Sequence, residues 1–459
     1  MANLFSRATV SSCRLLDAGA GIGSLSAAFL ERCISGDFSF NNIEIDAFEI
    51  DQSLLPHLTG TIENYKKQID LVINIKNSDF IETAANTICG DLFNKALPKY
   101  THVILNPPYK KIRSNSAHRF ALRKAGIETV NLYSAFVALA IALLEKGGQI
   151  VAIIPRSFCN GPYYLPFRNF ITEHAAFRHI HLFGSRTKAF KDDDVLQENV
   201  IIMMERDAGQ EDVIITTSTD STFSDLKTFS CPFYDIIEPD DPHHFIHIPT
   251  SQKNKTHHMH HNIHHYPEKL GINISTGPVV DFRLKNFLRE MPENDTVPLL
   301  YPGHFNGYTM DWPKPDFKKP NAIIRSEDTE KWLYPNGFYC VVRRFSSKEE
   351  KRRVIAGVAR PDVLREYEML GFENHLNVFH EGKKGLSKSL AYGLAGYLNS
   401  SFVDERFRLF NGHTQVNATD LMRLKYPGRK ALISLGEWIL ERGEPTQEQI
   451  DKKLEGMNR

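Results

Sequence analysis

The tetrapeptide Asn106-Pro107-Pro108-Tyr109 closes the apolar run His102-Val103-Ile104-Leu105. Two consecutive prolines leave it few shapes, since each ring fixes φ near about −65° and removes a backbone donor. The Asn amide and the free carbonyls then point outward as acceptors. With the Tyr ring they form a rigid cup for an exocyclic amine, closed on one side by an aromatic. An ordinary strand-ending turn uses the same residue types, so the string needs a second motif before it specifies chemistry.

That second motif lies upstream. Leu15-Leu16-Asp17-Ala18-Gly19-Ala20-Gly21-Ile22-Gly23 leads into the helix-like run Ser24–Leu30. A buried strand, a glycine-rich turn and a helix N-terminus let a ligand approach the backbone closely, because glycine lacks Cβ and adopts positive φ freely. The spacing is Gly-x-Gly-x-Gly, and not the Gly-x-Gly-x-x-Gly that favours a dinucleotide. Glu49 ends the next apolar strand, where an acid can accept both hydroxyls of a ribose. Beyond Leu71-Val72-Ile73-Asn74-Ile75 stands Asp79, able to accept from an adenine amine, with Phe80 beside it as a flat face.

The order Asp17–Gly23, Glu49, Asp79, Asn106–Tyr109 resembles the S-adenosylmethionine-dependent amino-methyltransferases of DNA. Three further stretches, Asn131–Phe136, Pro155–Gly161 and Gln197–Val200, are similar to the PstI/BsuBI-type modification methyltransferases of the TaqI-like gamma class. The resemblance covers nearly the whole chain. It implies an α/β fold: a seven-stranded, Rossmann-like S-adenosylmethionine-dependent methyltransferase sheet with a C-terminal mixed α+β target-recognition domain. The implied activity is methylation of adenine N(6) in a short duplex site. Double-stranded DNA is then the partner, S-adenosylmethionine the methyl donor, and any cognate restriction endonuclease a separate protein. No metal is required, and a monomer is expected to suffice.

Under that reading the catalytic group is Asn106, Pro107, Pro108 and Tyr109. The Asn106 amide oxygen and the Pro107 carbonyl take the two amine hydrogens while Tyr109 stacks on the base. The second aromatic wall found in related enzymes matches Phe190, with Phe183 close by in sequence; core packing is the alternative for either. Asp17, Gly19, Gly21, Gly23, Glu49, Asp79 and Phe80 are the expected cofactor residues. Related enzymes usually carry a Thr-Pro-containing segment and a helix before the glycine-rich strand. Only Ala2–Ser6 resembles the end of that helix, so weak cofactor binding or a start downstream of the true initiation site is expected.

Two other readings share the cup. Methylation of a protein glutamine amide uses the same tetrapeptide, but those enzymes are typically shorter and lack a large C-terminal region. A non-catalytic DNA-binding subunit would not need an intact donor site. A fused nuclease has little support: Pro315-Asp316 is not followed by an acid-x-Lys near Thr329-Glu330-Lys331.

The 459 residues allow two or three domains. No apolar run approaches the roughly 18 residues that cross a bilayer, and the first residues lack signal-peptide architecture, so a cytoplasmic location is expected. Six scattered cysteines read as reduced thiols. Cys159 is expected to pack, since carbon-5 methylation of cytosine uses a Pro-Cys dipeptide that is absent here.

Lys+Arg and Asp+Glu both number 55, so DNA contacts must come from local charge. Arg343, Arg344, Arg352 and Arg353, in a basic stretch that also holds Lys348, Lys351 and Arg360, are candidates, although a solvated helix face would look the same. Gln415 and Asn417 are candidates for base edges, where amides make bidentate contacts.

Strand-like and helical runs alternate from 14 to 205, which implies a mostly parallel sheet covered on both faces. The last two strands are joined too closely for a crossover and should be antiparallel. The domains expected are catalytic over 1–207, a polar His-rich linker over 208–267, target recognition over 268–430, and a helical brace over 431–459. The histidines of 257–265 are read as part of an exposed linker and not as a metal site.

Overall fold

The structure is a computed structural model that describes residues 1–6, 11–90, 96–184, 198–251, 263–347, 349–412 and 414–457. Two compact units divide the chain, Met1–Lys255 and Thr256–Arg459.

In the first unit nine strands form one sheet. They are β1 (Ser12–Ala18), β2 (Asn42–Phe48), β3 (Leu71–Lys76), β4 (Tyr100–Leu105), β5 (Leu144–Pro155), β6 (Ala175–Phe183), β7 (Asn199–Arg206), β8 (Val213–Ser218) and β9 (Lys227–Cys231). Their spatial order is 3-2-1-4-5-7-6-8-9. The first five run parallel, and β7 inserts antiparallel between β5 and β6. The expected antiparallel pair is therefore present. Successive residues of a strand face opposite sides, and the burial follows: Leu16, Val103 and Leu105 enter one core, whereas Leu15, Ile43, Ile45 and Ile104 enter the other.

Helices cover both faces. α1 (Ser24–Ile34) and α2 (Leu55–Glu63) pack on the second core. α3 (Phe80–Ile88), α4 (Ala117–Lys124), α5 (Leu132–Leu143) and α6 (Leu165–His174) pack on the first. The order of strands reverses beside β1, so β1 and β4 are neighbours with register Leu15↔His102, Leu16↔Val103, Asp17↔Ile104. Ligands of open α/β sheets bind beyond the carboxyl ends of strands at such a reversal.

The expected linker is corrected over 208–251, and the sheet has nine strands and not seven. β8 pairs parallel with β6, and β9 antiparallel with β8. Val213, Ile215, Phe229, Cys231, Ile236, Ile246 and Ile248 complete the core under α5 and α6. The polar composition comes in part from the outward residues of these two strands. Most of the histidine cluster, 257–261, lies outside the described residues.

The second unit is mixed α+β. A four-stranded sheet holds Asn273–Thr276, Leu376–His380, Tyr339–Arg343 and Ala356–Ala359, in that order. A five-stranded sheet is built around Thr296–Leu300. The helix Arg429–Arg442 crosses the helix Lys388–Leu398 at two glycines: a Cβ on Gly393 would lie 1.8 Å from the Leu432 carbonyl oxygen, and one on Gly436 would lie 1.7 Å from that of Ser389. The expected brace is thus integral to this unit. Its last helix, Gln447–Met457, starts at the expected capping box, with the Thr446 amide donating to Gln449 Oε1 at 3.0 Å.

Candidate active site

The turn after β1 takes its shape from glycine. Gly19, Gly21 and Gly23 all have positive φ (78°, 57° and 87°), and Gly23 is the N-cap of α1. The amides of Gly19 and Ala20 donate to the Phe48 carbonyl at 2.9 and 2.8 Å, which fastens the turn to the end of β2. Glu49 follows directly. Its Oε2 accepts from the Gly21 amide and its Oε1 from the Asp51 amide, both at 2.8 Å. Each carboxylate oxygen keeps a second lone pair for a ligand hydroxyl.

Asp17 lies beneath the turn, wholly buried. Its Oδ2 accepts from the Ser26 hydroxyl at 2.7 Å, while Oδ1 has no hydrogen-bond partner among the described residues. Burial pushes its carboxyl up from 3.8 to about 6, against the Ser26 hydrogen bonds that favour the charged form, and the nearby Glu49 charge adds to the rise.

Asp79 caps α3. Its Oδ1 accepts from the Glu82 amide at 3.0 Å and its Oδ2 lies 2.8 Å from His118 Nε2 in α4. The carboxylate is therefore held from two sides. Phe80, almost fully buried, packs on Phe48 and Phe136 at ring separations of 5.3 and 5.1 Å. Its amide, at the first turn of α3, has no intrahelical acceptor.

Asn106, Pro108 and Lys110 are exposed, Pro107 is buried and Tyr109 is half-buried. The Tyr109 hydroxyl lies 3.2 Å from the Ile153 carbonyl and 3.3 Å from Asn106 Oδ1. One hydroxyl hydrogen serves one of these acceptors at a time, so the Asn amide is only loosely engaged. The ring also meets Tyr133 edge-on at 6.2 Å. Tyr109 is thus fixed on a wall of the first core.

The glycine turn and the cup share one crevice. A Cβ on Gly19 would lie 3.8 Å from the Phe136 ring and 4.0 Å from the Asn106 carbonyl oxygen. A cleft of about 420 Å³ is lined by both, together with Glu49, Asp79, Phe80 and Pro108. Ile50, an aliphatic side chain left 68% exposed, forms part of its wall. An apolar wall, an acid at each of two corners and a side-chain-free turn suit a nucleoside-bearing cofactor. These residues fit S-adenosylmethionine.

His118, Lys110, Leu132 and Phe136 line the same cleft; the last two fall in the quoted stretch Asn131–Phe136, though without an expected role at the cofactor, and His118 and Lys110 were not expected there. Leu132 and Phe136, four apart on α5, carried a signal, since that spacing puts both on one helix face. His118 carried none. Phe190 and Gln197 lie outside the described residues. Phe183 is buried in the second core and meets His181 edge-on at 4.6 Å, so its role there is packing. Cys159 is also wholly buried, and burial pushes its thiol up to about 12, which removes it as a nucleophile. Two of the quoted stretches meet: Arg156 at the end of β5 and Glu198 before β7 form a buried ion pair at 2.9 Å.

In the second unit the DNA candidates separate. Arg353 is corrected: it is 1% exposed, donates to Ser346 Oγ at 3.1 Å and Asn411 Oδ1 at 2.9 Å, and lies over the Phe407 ring. Its cation organises the interior. Arg343 is paired with Glu350. Asn417 caps the helix Ala418–Arg423, with its amide nitrogen 3.2 Å from Asp420 Oδ2. Arg344, Arg352 and Gln415 are partly exposed.

Comparison with known proteins agrees with this architecture. The family described as Eco57I restriction-modification methylase matches residues 19–190. The type II methyltransferase M.BsuBI of Bacillus subtilis is 54% identical over 99% of this chain and 91% of its own length. M.PstI of Providencia stuartii is 41% identical over 98% and 89%. The restriction-modification enzyme MmeI, solved in complex with DNA, shares the fold with a TM-score of 0.58 at 10% identity, over 97% of this chain and 69% of that one. Among the described residues no helix is long and apolar enough to cross a membrane. With two relatives aligned end to end across its cofactor turn, its cup and its second unit, the chain belongs to the PstI/BsuBI-type type II methyltransferases of restriction-modification systems.

Proposed function

We propose that this protein methylates the N(6) amine of an adenine in a short duplex DNA site. The observation that carries the reading is that cup and cofactor turn share one cleft: Asn106 and Gly19 both line it at the reversal of the sheet. S-adenosylmethionine, when bound, supplies a methyl group on a sulfonium, already activated toward an amine. Glu49 would hold its ribose hydroxyls, and Asp79, steadied by His118, its adenine amine. The Phe80 amide would meet the adenine ring edge.

The target amine is paired and stacked in a duplex, so its base must first be extruded into the pocket, at a cost of a few kcal/mol. Tyr109 stacks on the base, and Phe190 is proposed for the other face. Asn106 Oδ1 and the Pro107 carbonyl accept the two amine hydrogens and so turn the nitrogen lone pair toward the cofactor turn. Tyr109 then gives up Asn106 and keeps the Ile153 carbonyl. No covalent intermediate is needed, because positioning supplies most of the rate. A separate endonuclease would cut the unmodified site.

The test offers tritiated S-adenosylmethionine to the protein with duplex DNA and, in parallel, with a glutamine-containing protein acceptor. Label is expected in the DNA. Asn106→Ala should lower turnover by about 100-fold or more and leave cofactor affinity nearly intact. Label in the protein acceptor, or an equal loss of cofactor affinity in the variant, would contradict the assignment.

A further inference from the structure

The second unit holds a buried acid hydrogen-bonded to a partly exposed histidine. Glu373 has a side chain with no exposure, and it accepts from the His375 amide at 2.9 Å and from His375 Nδ1 at 2.5 Å. A buried carboxylate must be hydrogen-bonded, so Nδ1 carries a proton and the ring is held in one orientation. The His375 side chain is nevertheless 41% exposed. Nε2, on the opposite edge of the ring, has no hydrogen-bond partner among the described residues.

The turn that carries this pair is rigid. The Asn374 amide donates to the Val279 carbonyl at 2.9 Å and the Leu376 amide to that of Glu373 at 3.0 Å. Gly277 packs so closely that a Cβ would lie 2.2 Å from the Glu373 carbonyl oxygen. Three chain segments are laced together here. The Arg344 amide donates to the His375 carbonyl at 2.8 Å, the Val416 amide donates to the Arg344 carbonyl at 2.7 Å, and Phe345 bridges Gln415. Phe345 is 39% exposed and its ring lies 5.0 Å from that of His375.

The result is an exposed aromatic beside a guanidinium, with the Arg344 Cζ 5.8 Å from the Phe345 ring centre, and beside an oriented imidazole. Phosphates need charge and little orientation, whereas base edges need donors and acceptors held at fixed angles. A buried carboxylate that fixes a ring supplies orientation. Resting on the DNA-methylation reading above, we propose that His375 reads a base edge of the target site, with Glu373 as its positioning residue. Arg344, Phe345 and Gln415 form the surrounding contact patch. Phe345 offers the apolar surface that a thymine methyl would meet.

The test is a methylated-site profile, by single-molecule sequencing, of a plasmid library carrying all variants of the wild-type site. The full chain is compared with His375→Ala and with His375→Gln, which keeps a donor for Glu373. Both variants should lose about 10-fold or more of the preference at one base pair and bind S-adenosylmethionine as the wild type does. An unchanged profile in both overturns the proposal. So does a uniform loss at every site with a shallower salt dependence, which would make His375 a phosphate contact. If the wild type modifies no DNA, the underlying reading fails instead.

Discussion

Asp17 is a carboxylate kept wholly out of water under the cofactor turn, with one oxygen served by Ser26. Its pKa of about 6 in the folded chain, against an ordinary 3.8, means that folding favours the protonated form. Below 3.8 both states hold the proton. Between 3.8 and 6 the folded chain binds more proton than the unfolded one, so stability falls as pH rises through this window and levels off above it. The shift corresponds to roughly 3 kcal/mol. Asp17→Asn should flatten that segment, as read by urea unfolding of both proteins between pH 4.5 and 7; parallel curves would refute the assignment. At this scale the sequence was most legible where chemistry and backbone constraint coincide. Gly19, Glu49, Asp79, Phe80 and Asn106 line one crevice, whereas Asp17 lies buried beneath the turn that Gly21 and Gly23 shape. His118 was invisible because its value comes only from a fold that sets it 2.8 Å from Asp79. Arg353 was misread because composition does not tell a buried cation from a surface one.

The crossing of the helices Lys388–Leu398 and Arg429–Arg442 depends on missing side chains. A Cβ on Gly436 would meet rigid backbone, at 1.7 Å from the Ser389 carbonyl oxygen, so the helices would have to part. Gly436→Ala should destabilise the second unit by about 1–3 kcal/mol or more and weaken DNA binding, while calorimetry still shows cofactor binding by the first unit. Retention of wild-type thermal stability would show that the crossing tolerates a methyl group. The parallel strands were readable because both faces are buried, which makes them short continuous apolar runs. β8 and β9 escaped because, at the margin of the sheet, only part of each is buried: Ile214 is exposed beside the buried Val213 and Ile215, and Lys227–Cys231 turns only Phe229 and Cys231 inward. Read by period and not by average polarity, those residues would have declared themselves.

Across the whole molecule, positive and negative side chains balance, so affinity for DNA has to come from a few placed cations. Arg352 and Arg353 are adjacent in sequence and opposite in environment. Arg352→Ala should reduce the salt slope of DNA binding by about one with little change in melting. Arg353→Ala should lower stability by about 2–5 kcal/mol, through the cavity left by a large buried side chain and the hydrogen bonds lost with it. Salt titrations and thermal melts on both variants check the pair; a salt effect confined to Arg353→Ala would reverse the placement. The central claim, that the Asn106–Tyr109 cup presents an adenine amine to a methyl donor, is tested most directly by nucleoside mass spectrometry. Duplex DNA is incubated with the protein and S-adenosylmethionine bearing a deuterated methyl group, then digested to nucleosides. The account predicts deuteromethyl label in N(6)-methyl-2′-deoxyadenosine alone, abolished by Asn106→Ala. Label in a methylated cytosine, or in no nucleoside, would contradict it.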